Sequence, residues 1–122
     1  MDPLLQKQIF DISPCYSKNC KDMGIQCGDG WFNIIDKLNF KITKYLNKYS
    51  IKNFKIEGIG EILGGLKIDT NIKDDTIEEF INEAIMDSYN TCEYCGEKAS
   101  SYNISGWIIT LCENCFNNPP SK

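Results

Sequence analysis

The chain of 122 residues contains no histidine, no arginine and no valine. Each absence excludes something different. Without His there is no Ser-His or Cys-His pair, no imidazole metal ligand, and no side chain whose ordinary titration lies near neutrality. Without Arg, no guanidinium fork can grip a phosphate or a guanine edge. Missing Val has no such consequence, because Ile, Lys and Asn abound, a composition that an AT-rich genome produces. There is also no run approaching 18 apolar residues, the length that suggests a membrane-spanning helix. The first ten residues mix Asp2, Gln6, Lys7 and Gln8 with apolar ones, which is not the layout of a signal peptide. The chain is therefore expected to be intracellular, not secreted, and without a membrane partner.

What is present fits one soluble domain with room for at most a small appended module: 25% of residues are charged and 42% hydrophobic. The net charge is −4, and the acids concentrate between positions 51 and 90. That balance, with the missing Arg, disfavours nucleic acid as a partner.

The pattern along the chain predicts an α+β fold: two amphipathic helices with a short β-hairpin between them, then a C-terminal four-cysteine zinc ribbon. Residues 1–29 show little periodicity and contain Pro3, Pro14, Gly24 and Gly28. They read as an irregular, Cys-containing arm with at most a short helix at 4–10. An α/β core follows over 30–90. Trp31, Ile34, Ile35, Leu38, Ile42, Tyr45, Leu46 and Tyr49 recur at helical spacing, with Asp29 and Gly30 as a start. Lys37, Lys41, Lys44 and Lys48 form a stripe beside that face. The stripe reads as a solvated flank, or alternatively as a docking strip for an anionic partner. The alternation at 52–57 and the segment 63–69, around a glycine-rich turn at Gly58-Ile59-Gly60, predict two strands. A second helix starts near Asp74 and Asp75, where Asp75 and Glu78 resemble a capping box. Its apolar face is Ile77, Phe80, Ile81, Ala84, Ile85 and Tyr89.

The strongest chemical signal is C-x2-C-x16-C-x2-C at Cys92, Cys95, Cys112 and Cys115. Each C-x2-C folds as a tight knuckle that aims two thiolates at one point, and Gly96 supplies the freedom the first turn needs. Residues 98–104 and 107–111 around Ser105 and Gly106 can form the hairpin that unites the knuckles, giving a ribbon over 91–116 and a flexible tail over 117–122. Four thiolates close the coordination sphere, so one Zn2+ here is expected to be structural rather than catalytic. Its binding free energy, about 10–16 kcal/mol in small zinc-finger peptides, rivals the net stability of a domain, about 5–15 kcal/mol. Cys15, Cys20 and Cys27 stand at C-x4-C-x6-C. They read as isolated or buried thiols, with two alternatives: a second metal cluster completed by Asp22 or Asp29, or a disulfide between Cys15 and Cys20.

Three segments carry a resemblance. Cys27-Gly28-Asp29-Gly30-Trp31 opens the first predicted helix, Gly64-Gly65-Leu66 precedes a strand, and Cys92-Glu93-Tyr94-Cys95-Gly96 is followed by Gly106-Trp107-Ile108-Ile109-Thr110-Leu111-Cys112-Glu113-Asn114-Cys115. Together they resemble a family of short, poorly characterised proteins of bacteria, phages and large DNA viruses. The resemblance spans about residues 27–115. It implies the architecture and a viral or phage source, hence host cytoplasm or virion, and brings no activity with it. The x16 spacing is also similar to the zinc finger of the formamidopyrimidine-DNA glycosylases. Those enzymes have a catalytic N-terminal Pro and a finger Arg, whereas this chain begins Met1-Asp2-Pro3 and has no Arg.

The function expected from these readings is that of a small non-catalytic zinc-binding accessory protein acting through protein–protein contacts. One alternative is a nucleic-acid-associated ribbon of transcription or replication, with the Lys stripe and the rings of Tyr94, Tyr102 and Trp107 as contacts. The other is thiol redox or metal-responsive chemistry at the C-x2-C pairs.

Overall fold

In the computed structural model, described here for residues 1–118, the elements run α1 (Pro3–Ile12), α2 (Lys18–Met23), a single 3₁₀ turn (Asp29–Trp31) and α3 (Phe32–Lys48). There follow β1 (Ile56–Ile62), β2 (Gly65–Thr70), α4 (Asp75–Ser88), β3 (Ser100–Ile104), β4 (Trp107–Leu111) and α5 (Glu113–Asn117). The fold is α+β with two separate antiparallel hairpins, β1–β2 and β3–β4. Most of the expected tail lies outside the described residues; Asn117 closes α5. None of the described helices is long and apolar enough to cross a membrane.

The two long helices follow their periodicity. Ile35, Leu38, Ile42 and Leu46 of α3 are buried, and they meet Ile77, Ile81 and Ala84 of α4 in one core. The start of α4 is a correction. Asp74 is the cap, its carboxylate accepting from the backbone N–H groups of Thr76 and Ile77 at 3.0 and 3.1 Å. Glu78 then falls one position beyond the third helical residue, where a capping box needs its acid.

The N-terminal stretch differs most from expectation. It holds two helices rather than an irregular arm, and it supplies Ile9, Cys15, Tyr16, Cys20, Ile25 and Cys27 to the main core. Pro3 in the first turn and the Asp2 carboxylate cap α1. Its fully buried side chain is Ile9, while Leu4 and Ile12 stay exposed, so no apolar stripe announces it. α2 is six residues long, too short for a periodic signal, and buries Cys20. Between these helices, and again just after α2, the chain runs beside β1. Ile56 N–H donates to Cys15 C=O (2.7 Å), Ser17 N–H to Ile56 C=O (3.0 Å) and Gln26 N–H to Ile59 C=O (2.9 Å). The edge of the small sheet is thereby covered. A buried amide ties the layers: Asn39 Oδ1 accepts from Tyr16 O–H, and its amide nitrogen donates to Ile9 C=O.

The first hairpin is shifted from its expected place. Its turn is Leu63-Gly64, not Gly58 to Gly60; both residues have positive φ, 51° and 81°. That is the signature of the two-residue turn whose twist matches the flanking strands. Gly58 instead sits at an irregularity in the β1–β2 register.

Candidate metal centre

Thr91 bridges to Lys98, and within that loop Cys92 N–H donates to Glu97 C=O while Gly96 N–H donates back to Cys92 C=O. Gly96 has φ 83°, so the turn uses a conformation few other residues adopt readily. This is the first knuckle, carrying Cys92 and Cys95. β3 and β4 then run out and back through Ser105-Gly106, with φ 52° and 89°. The returning strand delivers Cys112 to the start of α5, where its Sγ accepts from Cys115 N–H at 3.3 Å.

The hairpin thus brings the four expected cysteines together: their sulfurs all lie within 4.8 Å of one another, and Cys95 Sγ is 3.5 Å from Cys112 Sγ. Tetrahedral zinc with bonds of about 2.3 Å holds its sulfurs roughly 3.8 Å apart, so the four sulfurs are already grouped closely enough to hold a metal ion. Cys92, Cys112 and Cys115 are buried and Cys95 is exposed. The electrostatics suit a cation. Burial pushes the Cys92 thiol up, but backbone N–H groups of Cys112, Cys95 and Tyr94 that point at its sulfur outweigh this and bring it to about 7. Sharing hydrogen bonds with Cys112 pushes Cys115 up to about 12. Crowded thiols ionise together only when a positive ion compensates them.

The knuckle is seated on the core through residues that sequence reasoning did not assign to any site. Gly30 N–H donates to Glu93 C=O at 2.7 Å, Gly28 N–H to Glu93 Oε2 at 3.0 Å, and the indole N–H of Trp31 to Thr91 C=O at 2.9 Å. A Cβ on Gly30 would sit 2.0 Å from Cys92 O, and one on Gly28 2.3 Å from Glu93 O. These glycines form a ledge that accepts the knuckle backbone. On the other side, Thr110 Oγ1 donates to Gly64 C=O at 2.6 Å, and Gly65 packs under the ring of Tyr89. Ser88 Oγ, at the end of α4, accepts from Leu66 N–H and donates to Ile85 C=O. The C-G-D-G-W, G-G-L and ribbon segments therefore meet at one junction. The signal for it in the sequence is the glycine pair at 28 and 30, whose role is clearance for the knuckle and not only the end of an arm and the start of a helix.

The other expected site residues are distributed differently. Among the described residues, Cys15, Cys20 and Cys27 form no group of metal-ligating side chains and no disulfide. They are buried free thiols, and burial raises all three, Cys20 to about 11 and Cys27 to about 12. Of the lysine stripe, Lys41 and Lys37 lie 3.0 and 3.9 Å from the Glu83 carboxylate of α4, while Lys44 and Lys48 flank a surface cleft with Tyr45 and Tyr49. Lys41, first by hydrogen bond and then by charge, holds the Glu83 carboxyl below its ordinary value.

Comparison of the chain with protein-family models, curated proteins and solved structures finds no match.

Proposed function

We propose that the chain is a small, non-catalytic zinc protein in which one ion clamps the ribbon, and the ribbon with the α+β core forms a surface for another protein. The observation that carries this is the closed set of four thiols on two knuckles, the first of them hydrogen-bonded to the core. Zinc would supply no reaction here: four thiolates leave no coordination position for water or substrate. The chain's own residues do the rest. Gly28, Gly30 and Trp31 hold the first knuckle, Thr110 holds the returning strand, and backbone N–H groups favour the thiolate of Cys92.

An accessory role in a virus or phage belongs to the same reading, supported by the composition and by the resemblance of the three segments that meet at the junction. The nucleic-acid alternative has less support, because Lys37 and Lys41 are drawn to Glu83 and a zinc–tetrathiolate adds negative charge to a chain already at −4.

Native mass spectrometry with thiol counting tests the metal reading. One zinc per chain and three titratable thiols, those of Cys15, Cys20 and Cys27, is the expected result. No zinc with oxidised C-x2-C pairs would overturn it in favour of thiol redox chemistry.

A further inference from the structure

The end of the molecule where the first hairpin turn packs on β4 carries side chains that the fold does not use. Trp107 is 79% exposed although it begins a strand, and Ile104, its cross-strand neighbour, is exposed too. In the first turn Leu63 holds φ 51° with its side chain 66% exposed. A left-handed conformation costs an L-residue about 1–2 kcal/mol, and little packing offsets it. The first turn lies against β4: a Cβ on Gly64 would lie 3.2 Å from Ile108 Cγ2. Beside it opens a cleft of about 390 Å³, lined by Glu61, Glu93, Tyr94, Trp107, Ile108 and Ile109 among others.

Backbone and charge together define what fits. A two-residue turn makes Ile104 and Trp107 a hydrogen-bonded pair, so Ile108 aims its N–H and C=O away from β3. Neither group has a partner among the described residues, which leaves an open strand edge at the cleft. The Glu61 carboxylate accepts from Gly64 N–H at 2.8 Å, and no lysine among the described residues forms an ion pair with it. The ribbon itself carries Glu93, Glu97 and Glu113 against Lys98.

We propose that this cleft docks an extended segment of a partner protein in which a lysine or arginine stands beside aliphatic or aromatic residues. The segment's main chain pairs with Ile108, its cation faces Glu61, and its apolar neighbour covers Trp107. The inference rests on the reading of the chain as an interaction module and gives that reading a surface and a partner chemistry.

The test is selection from a random linear peptide display library on the zinc-loaded full chain, followed by titration with a synthetic peptide of the enriched sequence. Enrichment of basic residues next to aliphatic or aromatic ones is expected. Trp107→Ala should weaken binding at least tenfold and Glu61→Gln about threefold, while Phe40→Ala, on α3, changes nothing. Trp107 is exposed and Gln keeps an oxygen for Gly64 N–H, so these variants should fold. Enriched peptides that bind Trp107→Ala unchanged would overturn the cleft and leave the interaction-module reading standing. Absence of any enrichment would overturn both. A single-stranded oligonucleotide that binds the wild type and is lost in Trp107→Ala would overturn the proposal in favour of nucleic acid.

Discussion

Gly30 has no room for a methyl group, whereas Gly106 has nothing within 4 Å of the place one would take. The same substitution should therefore fail for different reasons. Gly30→Ala drives a Cβ into Cys92 O and should cost about 3 kcal/mol or more, since backbone must move at the metal centre. Gly106→Ala meets only the strain of φ 89° and should cost about 1–2 kcal/mol. Urea unfolding of the zinc-loaded variants separates the two. A second prediction at this scale concerns the buried thiols. The folded state holds Cys20 at about 11 and Cys27 at about 12, above the ordinary 9.0. The unfolded chain therefore loses these protons first as pH rises, and stability that is complete below pH 9 declines toward pH 12. Urea midpoints at about pH 8 and pH 10.5 should show the decline, and Cys27→Ala should make it shallower. In the sequence, Cys27 was legible as a thiol on an N-terminal arm but not as part of the main core, because core membership is set by what packs over it.

At the scale of elements, legibility followed length and periodicity. α3 and α4 repeat apolar residues over several turns, so their core-facing sides could be read directly. α1 and α2 could not, since each fully buries a single side chain. End signals were read one residue out of place at α4, where Asp74 and Asp75 compete for one role and backbone geometry chooses Asp74. Asp74→Ala should accordingly cost about 1 kcal/mol, while Asp75→Ala should stay within about 0.5 kcal/mol; thermal unfolding distinguishes them. The first hairpin turn was misplaced because Leu63 is a poor residue for φ 51°, and glycines at 58 and 60 drew attention to the wrong point. Leu63→Gly should therefore stabilise the chain by about 1 kcal/mol, read as a higher urea midpoint.

For the whole molecule, the question is whether metal and core fold as one unit. Trp31 is fully buried and donates to Thr91 C=O at the root of the first knuckle, while the other tryptophan, Trp107, is exposed. In a Trp107→Phe variant all tryptophan emission comes from Trp31. Removing zinc with a chelator should unfold the ribbon, release the Gly28–Glu93 and Trp31–Thr91 contacts, and shift that emission to longer wavelength. Unchanged emission after complete zinc removal would mean that the core keeps its junction without the ribbon.

The sequence by itself determined which four thiols can share an ion and which two helices carry the core face. Both are local facts: a C-x2-C knuckle and a 3.6-residue repeat are set within a few residues, and a chain without His leaves metal binding to sulfur and oxygen ligands. Only the tertiary structure decided where the ribbon sits. The bonds that seat it join residues 60 and 65 positions apart, and no local pattern reports such distances. Tertiary packing also decided that Cys15, Cys20 and Cys27 are buried in the main core, and that Trp107 is left outside it. Burial is a property of the segments that meet, and those segments were brought together by backbone hydrogen bonds and by glycines small enough to let them approach.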